Sequence, residues 1–167
     1  MSESRPLARR AVRDLRASQI REVANAAMGD PNVLPFWFGE PDEVTPEFIR
    51  AAAIEALSAG DTHGEAVVER FVGRLRSARD LLVSRLRALP GVAVAPPPGA
   101  MYAFFHVAGI ADSLAFCKHL VVQAKLGLAP GAAFGPEGEG FVRWCFAARE
   151  ERLAEGVARL ADTLERR

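Results

Sequence analysis

A long run of apolar residues at helical spacing dominates the middle of this 167-residue chain. Its members are Val67, Val68, Phe71, Leu75, Ala78, Leu82, Leu86 and Leu89, and from Val68 onward they recur every three or four residues. Pro90-Gly91 ends the pattern, because proline cannot continue a helix. A helix of this length must bury its apolar stripe against another layer, so the chain is expected to build its core beside it.

The residues after Pro90 alternate short strands with helices. Strands are predicted at residues 92–95, 101–107, 126–129 and 141–147, and helices at 112–124 and 149–166. The order β-β-α-β-β-α favours an α+β fold. It predicts a two-layer sandwich in which a short, mostly antiparallel sheet has its helices packed on one face.

The first part of the chain predicts a helical extension. Ser18 is a suitable cap for a helix that ends near Gly29, and residues 33–38 form a short apolar run that is expected to be extended. A second helix is predicted to start with Thr45 as its capping hydroxyl and Pro46 at its first helical position.

The composition excludes several classes of function. Lys plus Arg and Asp plus Glu both number 21, so the formal net charge is zero, which argues against nucleic acid or an anionic membrane as the main partner. Cys117 and Cys145 lack the spacing of metal ligands and are expected to be buried thiols in a reducing compartment. No apolar stretch is long enough to span a bilayer, and the N-terminus lacks an apolar signal core, so a cytoplasmic protein is expected.

Arg143 is the most unusual residue of the predicted strands. Both faces of the strand at 141–147 are mostly apolar, and a guanidinium is costly to bury without an anion. Two interpretations follow from the residues. The planar guanidinium could bind a carboxylate in a bidentate manner, or it could pair with an Asp or Glu near the end of the strand.

Four motifs, in this order, resemble those of one enzyme family. They are FWFGEPD at 36–42, PGAMYAFF at 98–105, LAPGAAFG at 128–135 and VRWCFA at 142–147. Each motif is weak by itself, but their joint order and spacing are similar to the class I/II aminotransferases of pyridoxal 5'-phosphate (PLP) fold type I, the aspartate aminotransferase superfamily.

The resemblance implies that the chain consists of three parts. Residues 1–62 are similar to the N-terminal arm and helices of the family, and residues 66–167 to its C-terminal small domain. Residues 63–65 are the predicted seam of a deletion that removes the large, cofactor-binding domain. The residues leave open whether such a deletion is natural, engineered or a truncation.

The resemblance also implies the parent activity, which is amino-group transfer between an amino acid and a 2-oxo acid with PLP as cofactor. In that family the arginine at the position of Arg143 clamps the substrate carboxylate, and the glycine at Gly39 lets the backbone approach it. Gly39 is also a plausible turn glycine. Tyr102 could line the site, although an aromatic residue in a strand more often belongs to the core.

The lysine that carries PLP in the family is absent from the sequence. The chain has two lysines, Lys118 and Lys125, and neither has the flanking residues of the family's lysine. The chain is therefore predicted to bind no PLP, to contain no catalytic residue and no metal, and to be inactive alone.

The alternative hypothesis is a non-catalytic small-domain module that self-associates or binds a partner or a small anion. Without the large domain, Phe36, Trp37 and Phe38 would lose the surface that they cover. They are expected to form an exposed apolar patch and to drive homo-oligomerisation.

Overall fold

A computed structural model describes residues 17–39, 44–59 and 65–166, and it describes no side chains for 65–67. Three predicted features lie outside the described residues: the end of the first motif at 40–42, most of the predicted seam at 63–65 and the side chain of Val67.

Helices and short strands alternate along the described chain. The helices are α1 (Gln19–Asn25), α2 (Glu47–Ser58), α3 (Glu65–Arg87), α4 (Ser113–His119) and α5 (Glu150–Glu165). The strands are β1 (Leu34–Pro35), β2 (Val92–Val94), β3 (Tyr102–Val107), β4 (Leu126–Gly127), β5 (Ala129–Pro130) and β6 (Phe141–Cys145). Among these described helices, none is long and apolar enough to cross a membrane.

The main sheet has four antiparallel strands in the order β2-β3-β6-β5. Its register places Phe104 opposite Arg143 and Tyr102 opposite Cys145. Side chains alternate between the faces. One face is buried beneath the helices and carries Ala103, Phe105, Val107, Val142 and Trp144. The other face is more open. The predicted α+β sandwich, with a short antiparallel sheet and helices packed on one face, is confirmed.

Among its described side chains, the long helix α3 buries its apolar stripe mainly in its second half. Ala78, Leu82 and Leu86 enter the core, whereas Val68 and Phe71, earlier in the helix, are exposed. The predicted period is therefore present. The core, however, covers only part of the apolar stripe of the helix.

The N-terminal segment packs into the same core as the sheet. Strand β1 pairs in parallel with β4, and Ser18 caps α1 by accepting a hydrogen bond from the amide of Arg21, as predicted. Phe36 and Trp37 are only 3% and 5% exposed, so the predicted apolar patch at these residues is wrong. The Phe36 ring lies 5.1 Å from that of Trp144, which supplies the cover that was assumed to be missing.

Several element boundaries differ from the prediction. Pro46, not Thr45, is the residue that precedes α2, and it makes no side-chain capping bond. Asp112 caps α4 by accepting a hydrogen bond from the amide of Ala115, and α4 then continues as a π-helical turn at Leu120–Ala124. The strand predicted at 126–129 is two strands, because Leu126–Gly127 pairs with β1 and Ala129–Pro130 pairs with β6.

Candidate functional site

Arg143 lies on β6, on the more open face of the sheet, and is half-buried. Its guanidinium carbon is 4.3 Å from the centre of the Tyr102 ring and 4.8 Å from that of Phe134. Aromatic faces carry negative charge density and attract a cation. Both rings therefore contact the head group without neutralising its charge.

The hydrogen bonds of Arg143 leave part of its donor capacity unused. Nη2 donates to the backbone carbonyl of Trp37 at 2.9 Å. Nε is buried and finds no hydrogen-bond partner among the described residues. Within ranges 17–39, 44–59 and 65–166, no carboxylate pairs with this guanidinium. The alternative of an intramolecular ion pair with Asp or Glu is thus not seen in the part of the chain that the structure describes.

Gly39 reaches the same place from the N-terminal segment. A Cβ atom at Gly39 would lie 1.8 Å from the Tyr102 Oη, so any larger residue would collide with the tyrosine. The structure therefore brings Gly39, Tyr102 and Arg143 together, although more than 60 residues separate the first two along the sequence. Their assignment to carboxylate binding rests on the resemblance and stays a prediction.

Two members of this cluster were not predicted from the sequence. Phe134 belongs to the motif at 128–135, but nothing in its residue type indicated that it would stack on Arg143. Trp37 contributes its backbone carbonyl, a group that every residue carries. Only the tertiary fold could single it out.

The surface beside Arg143 is aromatic. Phe104 stacks on Phe141 with ring centres 5.1 Å apart and meets Phe134 edge to face at 5.8 Å. Phe104 is 39% exposed and Phe134 is 49% exposed. A ligand that pairs with the guanidinium would therefore have apolar ring surface next to its charged group.

The two lysines lie outside this cluster. Lys118 pairs with Glu22 on α1. Lys125 has a left-handed backbone (φ 54°) and places Nζ 3.4 Å from Asp30 Oδ2. The backbone amide of Asn32 is the main cause of a lowered pKa of Asp30, and Lys125 adds to the effect. Both amines therefore take part in partly exposed ion pairs. No group of three potential metal ligands occurs in the described ranges.

No family model matches this chain. Known proteins are nevertheless similar to it in sequence and in fold. An aspartate aminotransferase of Pyrococcus horikoshii is 35% identical over 119 residues, which cover 71% of this chain and 30% of that protein. An aspartate aminotransferase of Thermotoga maritima is 38% identical over 116 residues, with coverage of 70% and 28%. The solved structure of an aromatic aminotransferase from Pyrococcus horikoshii superimposes with a TM-score of 0.60 at 32% identity, covering 71% of this chain and 31% of that one.

The family resemblance of the four motifs is in agreement with these relatives. The chain belongs to the class I/II aminotransferases of PLP fold type I. It spans about 30% of the length of the relatives that it matches.

Proposed function

We propose that the cluster around Arg143 binds the carboxylate of an amino acid or a 2-oxo acid. It would be the carboxylate-binding half of an aminotransferase substrate site. The observation that carries this proposal is a half-buried guanidinium that has an anchor and aromatic walls but no paired carboxylate in the described ranges.

Each part of the cluster has a role in this proposal. The Trp37 carbonyl fixes the orientation of Arg143, and the Tyr102 and Phe134 rings restrict its rotation. Partial burial lowers the local dielectric and strengthens the attraction to an anion. Because Gly39 has no side chain, the Tyr102 side chain can lie directly against the N-terminal segment. Together these contacts pre-organise the donor before the ligand arrives.

Transamination needs more than this binding site. PLP supplies the electron sink, and a lysine must hold the cofactor and move a proton on the substrate. Lys118 and Lys125 are engaged with Glu22 and Asp30 instead. We therefore infer that this chain binds no PLP specifically and does not transaminate alone, because binding without the cofactor chemistry does not accelerate the reaction.

The shortness of the match supports the proposed organisation. Coverage of about 30% of each relative agrees with a chain that combines an N-terminal part (1–62) and a small domain (66–167) across a seam at 63–65. In the relatives, the intervening length would hold the cofactor domain. Both cysteines are buried, as is usual in proteins of a reducing compartment, and the cytoplasm is therefore the proposed location.

A titration with pyruvate tests the binding role. Chemical-shift changes in the purified chain are expected to give a Kd on the order of 1 mM, typical of one charge-assisted contact with little buried area. Arg143→Gln is expected to weaken binding by about tenfold or more, because a hydrogen bond between charged groups contributes about 1.5–3 kcal/mol. Arg76→Gln, at an exposed position on α3, should bind like the wild type.

The shifts should map to residues around Arg143. The proposal fails if the wild type shows no saturable shifts, or if Arg143→Gln binds pyruvate as well as the wild type does.

A further inference from the structure

Ser113 is buried at the first turn of α4 and bonds to two residues that follow it at a distance along the chain. Among the described residues, it is the one alcohol, amide or charged side chain that is buried. Its Oγ accepts a hydrogen bond from the amide of Ala132 at 3.1 Å. Its own amide donates to Oε2 of Glu139 at 2.9 Å. A buried hydroxyl is costly unless it is hydrogen-bonded, so the bond to Ala132 accounts for a serine in the core.

The two partners of Ser113 lie near the two ends of one short segment, residues 131–139. This segment contains two 3₁₀ turns, Gly131–Phe134 and Pro136–Gly138. The turns pack backbone against backbone, because a Cβ at Gly131 would lie 2.1 Å from the carbonyl oxygen of Gly138. The segment is therefore a compact unit, and Ser113 holds it near both ends.

Phe134 is the residue of this segment that reaches the Arg143 cluster. Its ring centre lies 4.8 Å from the guanidinium carbon, and the ring meets that of Phe104 edge to face at 5.8 Å. Phe134 is 49% exposed, so burial alone does not fix its ring in this position. The backbone of segment 131–139 must help to fix it, and Ser113 holds that backbone.

We propose that Ser113 and Glu139 are positioning residues of the carboxylate site: they hold segment 131–139 so that the Phe134 ring lies against Arg143. This inference rests on the proposed function of Arg143, because the guanidinium must meet a carboxylate for the positioning to matter. Both residues act through Phe134 and not through the ligand. A side chain that is restricted before the ligand arrives loses less conformational freedom on binding, and the affinity rises accordingly.

The charge of Glu139 separates this role from simple electrostatics. Glu139 is exposed and belongs to the same segment as Phe134. Its carboxylate repels an anionic ligand, so the loss of this charge alone would strengthen pyruvate binding. The loss of its bond to Ser113 would weaken pyruvate binding instead. The two explanations therefore predict changes of opposite sign for the same variant.

Pyruvate titration of the full chain at constant ionic strength, followed by NMR chemical shifts, tests the positioning role. Glu139→Ala and Ser113→Ala are each expected to weaken binding by about threefold to tenfold, the change for one side chain that must be ordered on binding. Glu139→Gln keeps an acceptor for the Ser113 amide and should bind within about twofold of the wild type. Glu137→Ala is the matched control. It removes the same charge from an exposed position of the same segment and should not weaken binding.

A double-mutant cycle tests whether Ser113 acts through Phe134. Phe134→Ala removes the ring at a half-exposed position and is expected to weaken pyruvate binding to a similar extent. In that background, Ser113→Ala should cause no further loss, because the ring that it positions is gone. A merely structural role of Ser113 would give losses that add.

The Nε–H signal of Arg143 provides a second measurement that needs no ligand. The ring current of Phe134 shifts this proton, so the signal reports where the ring lies. It is expected to move in Ser113→Ala and in Glu139→Ala, and to keep its wild-type position in Glu139→Gln and in Glu137→Ala. Circular dichroism verifies that each variant is folded. Glu139→Ala changes an exposed residue, so it tests the role even if Ser113→Ala does not fold.

Failure of the positioning role can be distinguished from failure of the proposed function. A wild type without saturable shifts would end both. A wild type that binds pyruvate, together with a Glu139→Ala variant that binds it as tightly or more tightly, would overturn the positioning role alone. Additive losses in the double-mutant cycle, or an unchanged Arg143 signal in folded Ser113→Ala, would overturn it as well.

Discussion

At the scale of single residues, Arg143 shows how a charge can be kept beside an apolar core. Guanidinium is weakly hydrated and planar, so it can exchange part of its water for aromatic faces and one carbonyl. The Tyr102 and Phe134 rings and the Trp37 carbonyl provide these contacts. A lysine at the same position could use only a point charge and would lose the stacking. The choice of arginine therefore follows from the local geometry.

Gly127 is another residue whose identity the packing requires. A Cβ at Gly127 would lie 2.1 Å from Cε3 of the buried Trp37 ring. Gly127→Ala is expected to lower the free energy of unfolding by about 3 kcal/mol, because an overpacked core must shift or strain. Urea denaturation followed by fluorescence measures this change.

The matched control is Gly99→Ala, in a loop where a Cβ would meet no described atom within 4 Å. It should change stability by less than about 0.5 kcal/mol. Equal stability of the two variants would show that Trp37 can move at little cost. Because the Trp37 carbonyl also holds Arg143, Gly127→Ala is expected to weaken pyruvate binding as well.

At the scale of elements, Arg159 of helix α5 connects the N-terminal segment to the segment that precedes β4. Arg159 Nη1 donates to the carbonyl of Asn32 at 3.0 Å and to that of Lys125 at 2.9 Å. These carbonyls belong to the turns that precede β1 and β4. The two turns are thereby held side by side, which fixes where the parallel β1–β4 pair begins.

Arg159→Met is expected to destabilise the fold by about 2 kcal/mol, because it removes charge-assisted hydrogen bonds while keeping most of the aliphatic volume. Urea denaturation at neutral pH provides the measurement. Glu155→Ala is the control, since it removes only a partly exposed ion pair with the same arginine and should cost less than about 0.5 kcal/mol. If Glu155→Ala lowered the free energy of unfolding as much as Arg159→Met does, the effect would come from the ion pair and not from the bonds to the backbone carbonyls.

At the scale of the whole molecule, two distant parts of the sequence share one core. Phe36 packs on Trp144, and a Cβ at Gly156 would crowd both rings. The N-terminal segment is therefore integrated with the sheet and covers part of its buried face. This packing explains how a chain that spans about 30% of its relatives' length can still have a continuous apolar interior.

The whole chain is expected to acquire no specific PLP. Borohydride treatment in the presence of PLP, followed by intact mass and peptide mapping, should give either no adduct or scattered partial labelling of the lysines. Lys118 and Lys125 are partly exposed and ion-paired, and this is the reason to expect non-specific labelling. A single stoichiometric adduct on one of them would contradict the inference of an inactive chain.

Much of the fold could be predicted from local patterns. Periodicity identified α3 and α5, the short runs at 101–107 and 141–147 were predicted as the strands that became β3 and β6, and the order of elements predicted the antiparallel sheet. These patterns are visible in a sequence because a helix or strand must present its apolar side chains at its own period. The prediction that Thr45 caps α2 was wrong, since side-chain capping depends on the local backbone geometry.

The sequence by itself determined which residue types were available for the candidate site: an arginine in an apolar strand, a glycine before a turn and an aromatic on the neighbouring strand. Only the tertiary structure decided that Gly39, Tyr102 and Arg143 meet, that a Trp37 carbonyl anchors the guanidinium, and that Phe36 and Trp37 are buried while α2 is exposed. The physical reason is that burial and backbone contacts depend on which distant segments pack together, and no local period of the sequence encodes that choice.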